Sequence, residues 1–271
     1  MPELKSEYAL SAEQINSFRE RGHILLHGVA SPEEVAAYRP LLRHAVEQFN
    51  TEKRALEQRD TYGKAFLQIV NLWERDAEVR RFTLARRFAK IAADLMGVDG
   101  VRIYHDQALF KEPGGGPTPW HQDHYYWPLE TEHMITMWMP VVPVSAEMGP
   151  PRFASGSHRL GFLGDLPISD QSEEELSRLI AERGFSIHLD DAFQPGDATF
   201  HDSWTLHSTP GNSTSVMREA MTIIYHEMNA RLVEPDSASR RADLERWFPG
   251  LKPGDVAASP LNPIVYAKSI E

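Results

Sequence analysis

The sequence predicts a mainly β core, a jelly roll of cupin-like type, buttressed by N-terminal helices in an α+β chain of 271 residues. Two observations carry this. Helix-start signals dominate roughly the first hundred residues. From Val101 onward, short apolar runs alternate with Gly, Pro, Asn and Asp, as antiparallel strands of a sandwich or barrel do. No repeat, low-complexity stretch or long linker divides the chain. The expectation is therefore one domain over 1–271: a helical part at about 1–100, a core at about 101–230 and a closing segment at about 231–271.

Each element has a local reason. Ser11 with Gln14, and Ser31 with Glu34, have capping-box spacing, in which serine and Glu or Gln satisfy free amides at a helix start reciprocally. Pro32 falls where the first helical turn tolerates a missing N–H. Between these starts, residues 23–29 (HILLHGV) read as a short strand, and 76–96 as one longer helix stopped by Gly97. The core strands are expected within VRIYHDQALF (101–110), MITMWMPVVPV (134–144), FSIHLDD (185–191), DATFHDSW (197–204) and REAMTIIYHEM (218–228). Residues 172–184 read as an inserted helix. PGGGPTP (113–119) and MGPPRFASGSH (148–158) carry too many turn residues to be strands throughout.

Composition narrows the function classes. The chain has no cysteine, so disulfides, thiolate metal sites and thiol nucleophiles are excluded, and any metal takes nitrogen and oxygen ligands. A formal charge of −11 disfavours non-specific binding to nucleic acid or anionic membrane. No apolar run reaches membrane-spanning length, and the opening MPELKSEYALSAEQ lacks the order of a signal peptide. The expectation is a soluble cytoplasmic protein, monomer or homodimer, acting on a small molecule.

His121 and Asp123 form one His-x-Asp triplet, His207 follows 86 residues later, and Arg218 stands eleven beyond that. Two histidines and one carboxylate on one face of a metal leave the opposite positions open, the ligand set of non-haem Fe(II) oxygenases. The triplet alone proves little: 12 histidines and 39 acidic residues predict about two by composition, and the chain has two, the other being His188-Leu189-Asp190. Context favours the first. Alternate residues of a strand point the same way, and the 86-residue return leaves room for a distant strand to supply the third ligand. His201 competes with His207 for that place, but only His207 has an arginine at plus eleven. A charged arginine entering so apolar a strand needs a partner: a bidentate dicarboxylate, or a structural carboxylate such as Glu219 or Glu227.

The segments WHQDHYYWP (120–128), MGPPRFASGSHR (148–159) and PGDATFHDSWTLHSTPGN (195–212), followed by Arg218, resemble the phytanoyl-CoA dioxygenase family of Fe(II)- and 2-oxoglutarate-dependent oxygenases. The resemblance extends from about Ser11 to the end. It implies a double-stranded β-helix, Fe(II) bound by His121, Asp123 and His207, and 2-oxoglutarate and O₂ as co-substrates. It further implies that Arg218 clamps the C5 carboxylate of 2-oxoglutarate with help from the Thr209 hydroxyl, and that Gln107 contacts the co-substrate. Trp138 matches a pocket tryptophan once one residue is deleted from the intervening loop. Ser155 stands where the family usually has proline, a difference confined to a turn. Iron halogenases of related fold replace the carboxylate with a small residue, so Asp123 resembles the oxygenating branch.

The family chemistry converts 2-oxoglutarate to succinate and CO₂ while oxidising a C–H bond, most commonly by hydroxylation. Desaturation, ring formation and epoxidation share the same oxidant. Tyr126 and Trp127, with Gln68 and Asn71 among apolar neighbours, are the candidate substrate-pocket residues. Two rivals stand beside this reading: a cupin-like metalloenzyme working without 2-oxoglutarate, and a non-catalytic jelly-roll binding protein.

Overall fold

A computed structural model describes residues 1–269. The first hundred residues contain α1 (Ala12–Arg21), β1 (His23–Leu26), α2 (Pro32–Phe49), α3 (Thr61–Ala65), β2 (Leu67–Val70), α4 (Leu72–Arg75), α5 (Ala77–Thr83) and α6 (Arg86–Met96). Both capping boxes form, at Ser11 and at Ser31, and Pro32 occupies the first turn of α2. The predicted strand at 23–29 ends at Leu26, because a turn follows in which Gly28 takes φ +63°. The predicted helix at 76–96 is two helices, α5 and α6, broken where Ala85 turns extended at φ −63°, ψ 122°. The break has a packing reason. Phe82 and Phe88 would lie roughly 120° apart around a straight helix, yet both are buried and meet edge-on with ring centres 5.3 Å apart.

The remaining elements are β3 (Gly100–Lys111), β4 (Thr118–His121), β5 (Leu129–Glu130), β6 (Met134–Pro140), β7 (Val144–Ser145), β8 (Arg152–Ala154), α7 (Asp170–Arg183), β9 (Ile187–Leu189), β10 (Ala192–Phe193), β11 (Ala198–Asp202), β12 (His207–Thr209), β13 (Arg218–Glu227), β14 (Arg231–Leu232), α8 (Ala238–Trp247) and β15 (Ile264–Ala267). The inserted helix α7 starts two residues before the predicted 172, since Ser169 rather than a later residue caps it. Two sheets dominate. The larger runs β1-β11-β6-β13-β3-β15, with β2 also on β3; the smaller runs β4-β12-β8-β9. This is the expected jelly roll, and its larger sheet takes strands from the N-terminal, central and C-terminal parts of the chain. None of the helices among the described residues is long and apolar enough to cross a membrane.

The larger sheet is covered on both faces, and this sets the chemistry of each. Ile135, Met137 and Met139 of β6 and Met221, Ile223 and Tyr225 of β13 join the apolar core with α2, α5 and α6. Their alternates, Thr136, Trp138, Thr222 and Ile224, line an inner cavity. With both faces buried, these strands carry apolar residues almost without alternation. Asp106 belongs to the outer face, fully buried, accepting hydrogen bonds from the Leu72 and Trp73 amides and the Thr83 hydroxyl. Burial raises its pKa to about 6, and it ties α4 and α5 to the sheet.

Candidate active site

The inner face encloses a cavity of about 480 Å³ between the two sheets, within the range of small-molecule sites, ~300–1,000 Å³. His121 ends β4 and His207 begins β12, and the two are directly opposed in the antiparallel register. Their ring centres lie 4.1 Å apart. Each Nδ1 faces the carbonyl two residues earlier, Pro119 at 2.8 Å and Thr205 at 3.0 Å. That hydrogen bond fixes the tautomer and leaves Nε2 as the free lone pair. Asp123 completes the group: its Oδ1 is 3.7 Å from Nε2 of both histidines. One donor atom from each of the three lies within 4.8 Å of the others. Burial lowers the His121 pKa to about 3 and the His207 pKa to about 4, so both are neutral at pH 7, as ligands must be.

The second oxygen of Asp123 is held separately. Thr136 donates to Oδ2 at 2.8 Å, and His201 Nε2 lies 3.2 Å from it. Burial opposes ionisation of Asp123, but His207 and the His201 contact outweigh it and keep the carboxyl well below its usual range. His201, the rival for third ligand, thus contacts Asp123 Oδ2, while His207 shares Oδ1 with His121. The second triplet closes on itself, with His188 Nε2 3.1 Å from Asp190 Oδ1.

Arg218 enters the cavity from the start of β13 and is 1% exposed. Its structural-carboxylate alternatives are taken: Glu219 binds Arg39 at 2.7 Å, and Glu227 binds Thr131. Arg218 donates to the Gly149 carbonyl and lies over the Trp138 ring at 5.5 Å, while its Nε has no partner. Burial lowers its pKa to about 9, leaving it cationic at pH 7. A buried guanidinium with a free donor and, among the described residues, no counter-ion is a ready carboxylate site. Gly149 makes this possible: it takes φ +69°, and a Cβ there would sit 2.1 Å from the Pro210 carbonyl oxygen.

Thr209, Gln107 and Trp138 line the same cavity. Thr209 donates to the Thr118 hydroxyl at 2.9 Å. Gln107 accepts from Gln68 at 2.8 Å across the β2–β3 pair. Tyr126, Trp127 and Gln68 also line it. Asn71 does not: it is the left-handed residue (φ 50°) opening α4, and its amide donates to Glu74. Sequence reasoning missed Thr136, His105, Tyr62, Ile168 and Trp247, all cavity-lining. Thr136 was findable as the only polar residue of the apolar run MITMWMP; His105 was findable as the strand alternate of Gln107.

Similarity to known proteins matches this geometry. The sequence profile of the phytanoyl-CoA dioxygenase family matches residues 18–220. The chain belongs to that family. It is 27% identical to an ectoine dioxygenase of Halomonas elongata, over 89% of this chain and 78% of the relative. In fold it is similar to the non-haem α-ketoglutarate-dependent carbocyclase SnoK of nogalamycin biosynthesis (25% identity, TM-score 0.74, 95% of this chain and 97% of the other). The epimerase SnoN, solved with Fe³⁺, α-ketoglutarate (2-oxoglutarate) and nogalamycin RO, superposes with a TM-score of 0.78 at 24% identity, over 94% of this chain and 98% of the other. The protein is thus an Fe(II)/2-oxoglutarate-dependent dioxygenase with the jelly-roll fold of that class.

Proposed function

We propose that this dioxygenase hydroxylates a C–H bond of a free small molecule, with His121, Asp123 and His207 as the iron ligands and Arg218 as the 2-oxoglutarate clamp. The observation that carries the assignment is the buried guanidinium of Arg218, with an unpartnered Nε, in the same cavity as three converging ligand side chains. The donor set fits iron: two neutral imidazoles and a carboxylate, with no thiolate in the chain. When bound, iron and 2-oxoglutarate supply the oxidising power that activates O₂ against the substrate.

The chain's own residues prepare that chemistry. Pro119 and Thr205 carbonyls aim the two imidazoles, Thr136 and His201 aim Asp123, and Arg218 offers a fixed fork for a carboxylate. Thr209 and Gln107 add polar contacts along the co-substrate side, and Trp138 packs against the arginine. Tyr126 and Trp127 form part of the substrate wall, with Gln68 behind Gln107. The apolar and aromatic lining limits water around the reacting centre. A free metabolite rather than an acyl-CoA is favoured by the net charge of −11 and by a cavity of about 480 Å³. One domain over 1–271 and a cytoplasmic setting complete the reading, supported by the shared larger sheet and by the absence of cysteine.

The test is succinate release from 2-oxoglutarate under air, screened over candidate metabolites. Fe(II)-dependent release that a substrate stimulates and His207→Ala abolishes is the expected result. Release that persists in His207→Ala, or a folded wild type inert with and without Fe(II), contradicts it.

A further inference from the structure

The end of the cavity served by α8 holds two polar groups that the iron and 2-oxoglutarate assignment does not use. His105 is 5% exposed, lines the cavity, and its Nδ1 has no hydrogen-bond partner. Its ring lies against Trp247, with centres 4.9 Å apart. Asp243 of α8 also lines the cavity; it accepts the Tyr104 hydroxyl at 2.7 Å. Arg246 of the same helix lines this end too and acts on Asp243 electrostatically, but among the described residues no cation lies within salt-bridge distance of the carboxylate.

The backbone shows how His105 comes to face inward. The β3–β13 register slips between Ile224 and Tyr225, which pair with His105 and Ile103 and leave Tyr104 as an extra residue. Without that bulge, Ile103 and His105 would share a face. With it, Ile103 packs in the helix-covered core while His105 lines the cavity beside Gln107. Bulges near active sites commonly re-aim a side chain in this way. Tyr104, the extra residue, is the one that holds Asp243. A purely packing role does not need a polar ring here: a buried ring nitrogen without a partner is a cost that an apolar side chain would avoid.

We infer that His105 and Asp243 form the substrate's polar anchor, receiving a hydrogen-bond donor, a hydroxyl or a protonated amine, whose carbon frame lies against Trp127 and Trp247. This rests on reading the cavity as the oxygenase active site. Burial lowers the His105 pKa to about 3, so the neutral ring can accept a hydrogen bond, and raises that of Asp243 to about 6, outweighing the Tyr104 hydrogen bond and the nearby Arg246. A carboxylate substrate is correspondingly disfavoured at this end.

Size-matched probes decide the matter: cyclohexanol and cyclohexylamine carry donors, cyclohexanone only an acceptor, and cyclohexanecarboxylate a negative charge. Each is titrated by ligand-observed NMR into protein loaded anaerobically with Fe(II) and 2-oxoglutarate. We expect the better donor to bind about tenfold tighter than cyclohexanone, the scale of one net hydrogen bond, and the carboxylate to bind worst. His105→Leu or Asp243→Asn removes the preference. A stronger amine identifies a cationic substrate and a stronger alcohol a neutral one. Cyclohexanone or the carboxylate binding as well as the donors, neither donor binding, or a preference that survives in both variants overturns the inference. The visible absorption of the wild-type iron–2-oxoglutarate complex separates the two failures: its absence defeats the proposed function, whereas its presence without donor preference defeats only this anchor.

Discussion

The two ends of the cavity are built differently. At the metal end, the two proposed histidine ligands sit on strands pinned by register, His121 opposite His207 with β8 packed on the other side of β12, and Asp123 opens the 3-10 turn that follows β4. At the outer end, the wall is assembled from pieces distant in sequence: Tyr62 of α3, Ile168 from the segment before α7, and Trp247 of α8. The first arrangement fixes atoms to within tenths of an ångström, as a metal demands; the second sets shape and polarity and can change piece by piece. One scaffold can therefore keep its oxidant while altering what it oxidises.

Substitutions at the two ends should separate accordingly. The largest effect is expected from Asp123→Ala, which removes a proposed ligand and leaves His201 and Thr136 facing a void. Iron binding measured by equilibrium dialysis and substrate turnover should both fall below detection. Arg218→Lys, losing the bidentate fork, should raise the apparent KM for 2-oxoglutarate by about 10- to 100-fold, an effect of ~1.4–3 kcal/mol. Arg218→Met should do so at least as strongly, yet leave the Tm of the apoprotein unchanged or higher, because it removes a buried cation that has no counter-ion among the described residues. A large fall in apoprotein Tm would show that Arg218 is structural.

Next in size is the second layer around the metal. His201→Leu and Thr136→Val should each lower iron affinity by about 10- to 100-fold without changing which metal is bound. Equal loss from Trp127→Phe at the outer end would erase the distinction between the two ends.

A separate expected effect, on the whole apoprotein rather than on either end of the cavity, is on stability against pH. Burial pushes His23, His105, His121, His124, His207 and His226 down to between about 2 and 4. The unfolded chain takes up protons near pH 6.5 that the folded apoprotein refuses, so stability falls as pH drops through that value. Asp106, Asp202 and Asp243, pushed up to about 6, 7 and 6, act in the opposite sense, since the folded protein keeps protons that the unfolded chain releases above its lower pKa. The histidines outnumber the acids, so the unfolding free energy of the apoprotein should decline from pH 7 to pH 5, by ~1.4 kcal/mol per pH unit for each net proton, with the urea midpoint falling alongside it. A midpoint that rises on acidification would mean the acids dominate.

Legibility followed the same division. The metal end could be read because the His-x-Asp spacing at a strand end and an 86-residue return are properties of sequence order, and His121, Asp123, His207 and Arg218 do line one cavity, with Asp123 in the turn just beyond β4. His201 was visible as a histidine, but its role depends on which oxygen of Asp123 faces inward, a fact of three-dimensional packing. The outer end was poorly legible. Tyr126, Trp127 and Gln68 line the cavity, but Asn71, chosen as a polar residue in an apolar run, is a helix-start residue in the left-handed region. His105 shares its face with Gln107, but the bulge that turns it away from the face of Ile103 has no mark in the sequence. The helix predicted over 76–96 failed for a related reason: its break serves the placement of Phe82 and Phe88, which periodicity alone does not report.

The central claim is that Arg218 presents 2-oxoglutarate to an iron held by His121, Asp123 and His207. Its most direct test is an anaerobic titration of 2-oxoglutarate into Fe(II)-loaded protein, followed by visible absorption. The account predicts a weak, saturable charge-transfer band that requires both iron and 2-oxoglutarate and is absent from Arg218→Ala at the same concentrations. A folded wild type that shows no band, or an Arg218→Ala protein that saturates as the wild type does, would contradict it.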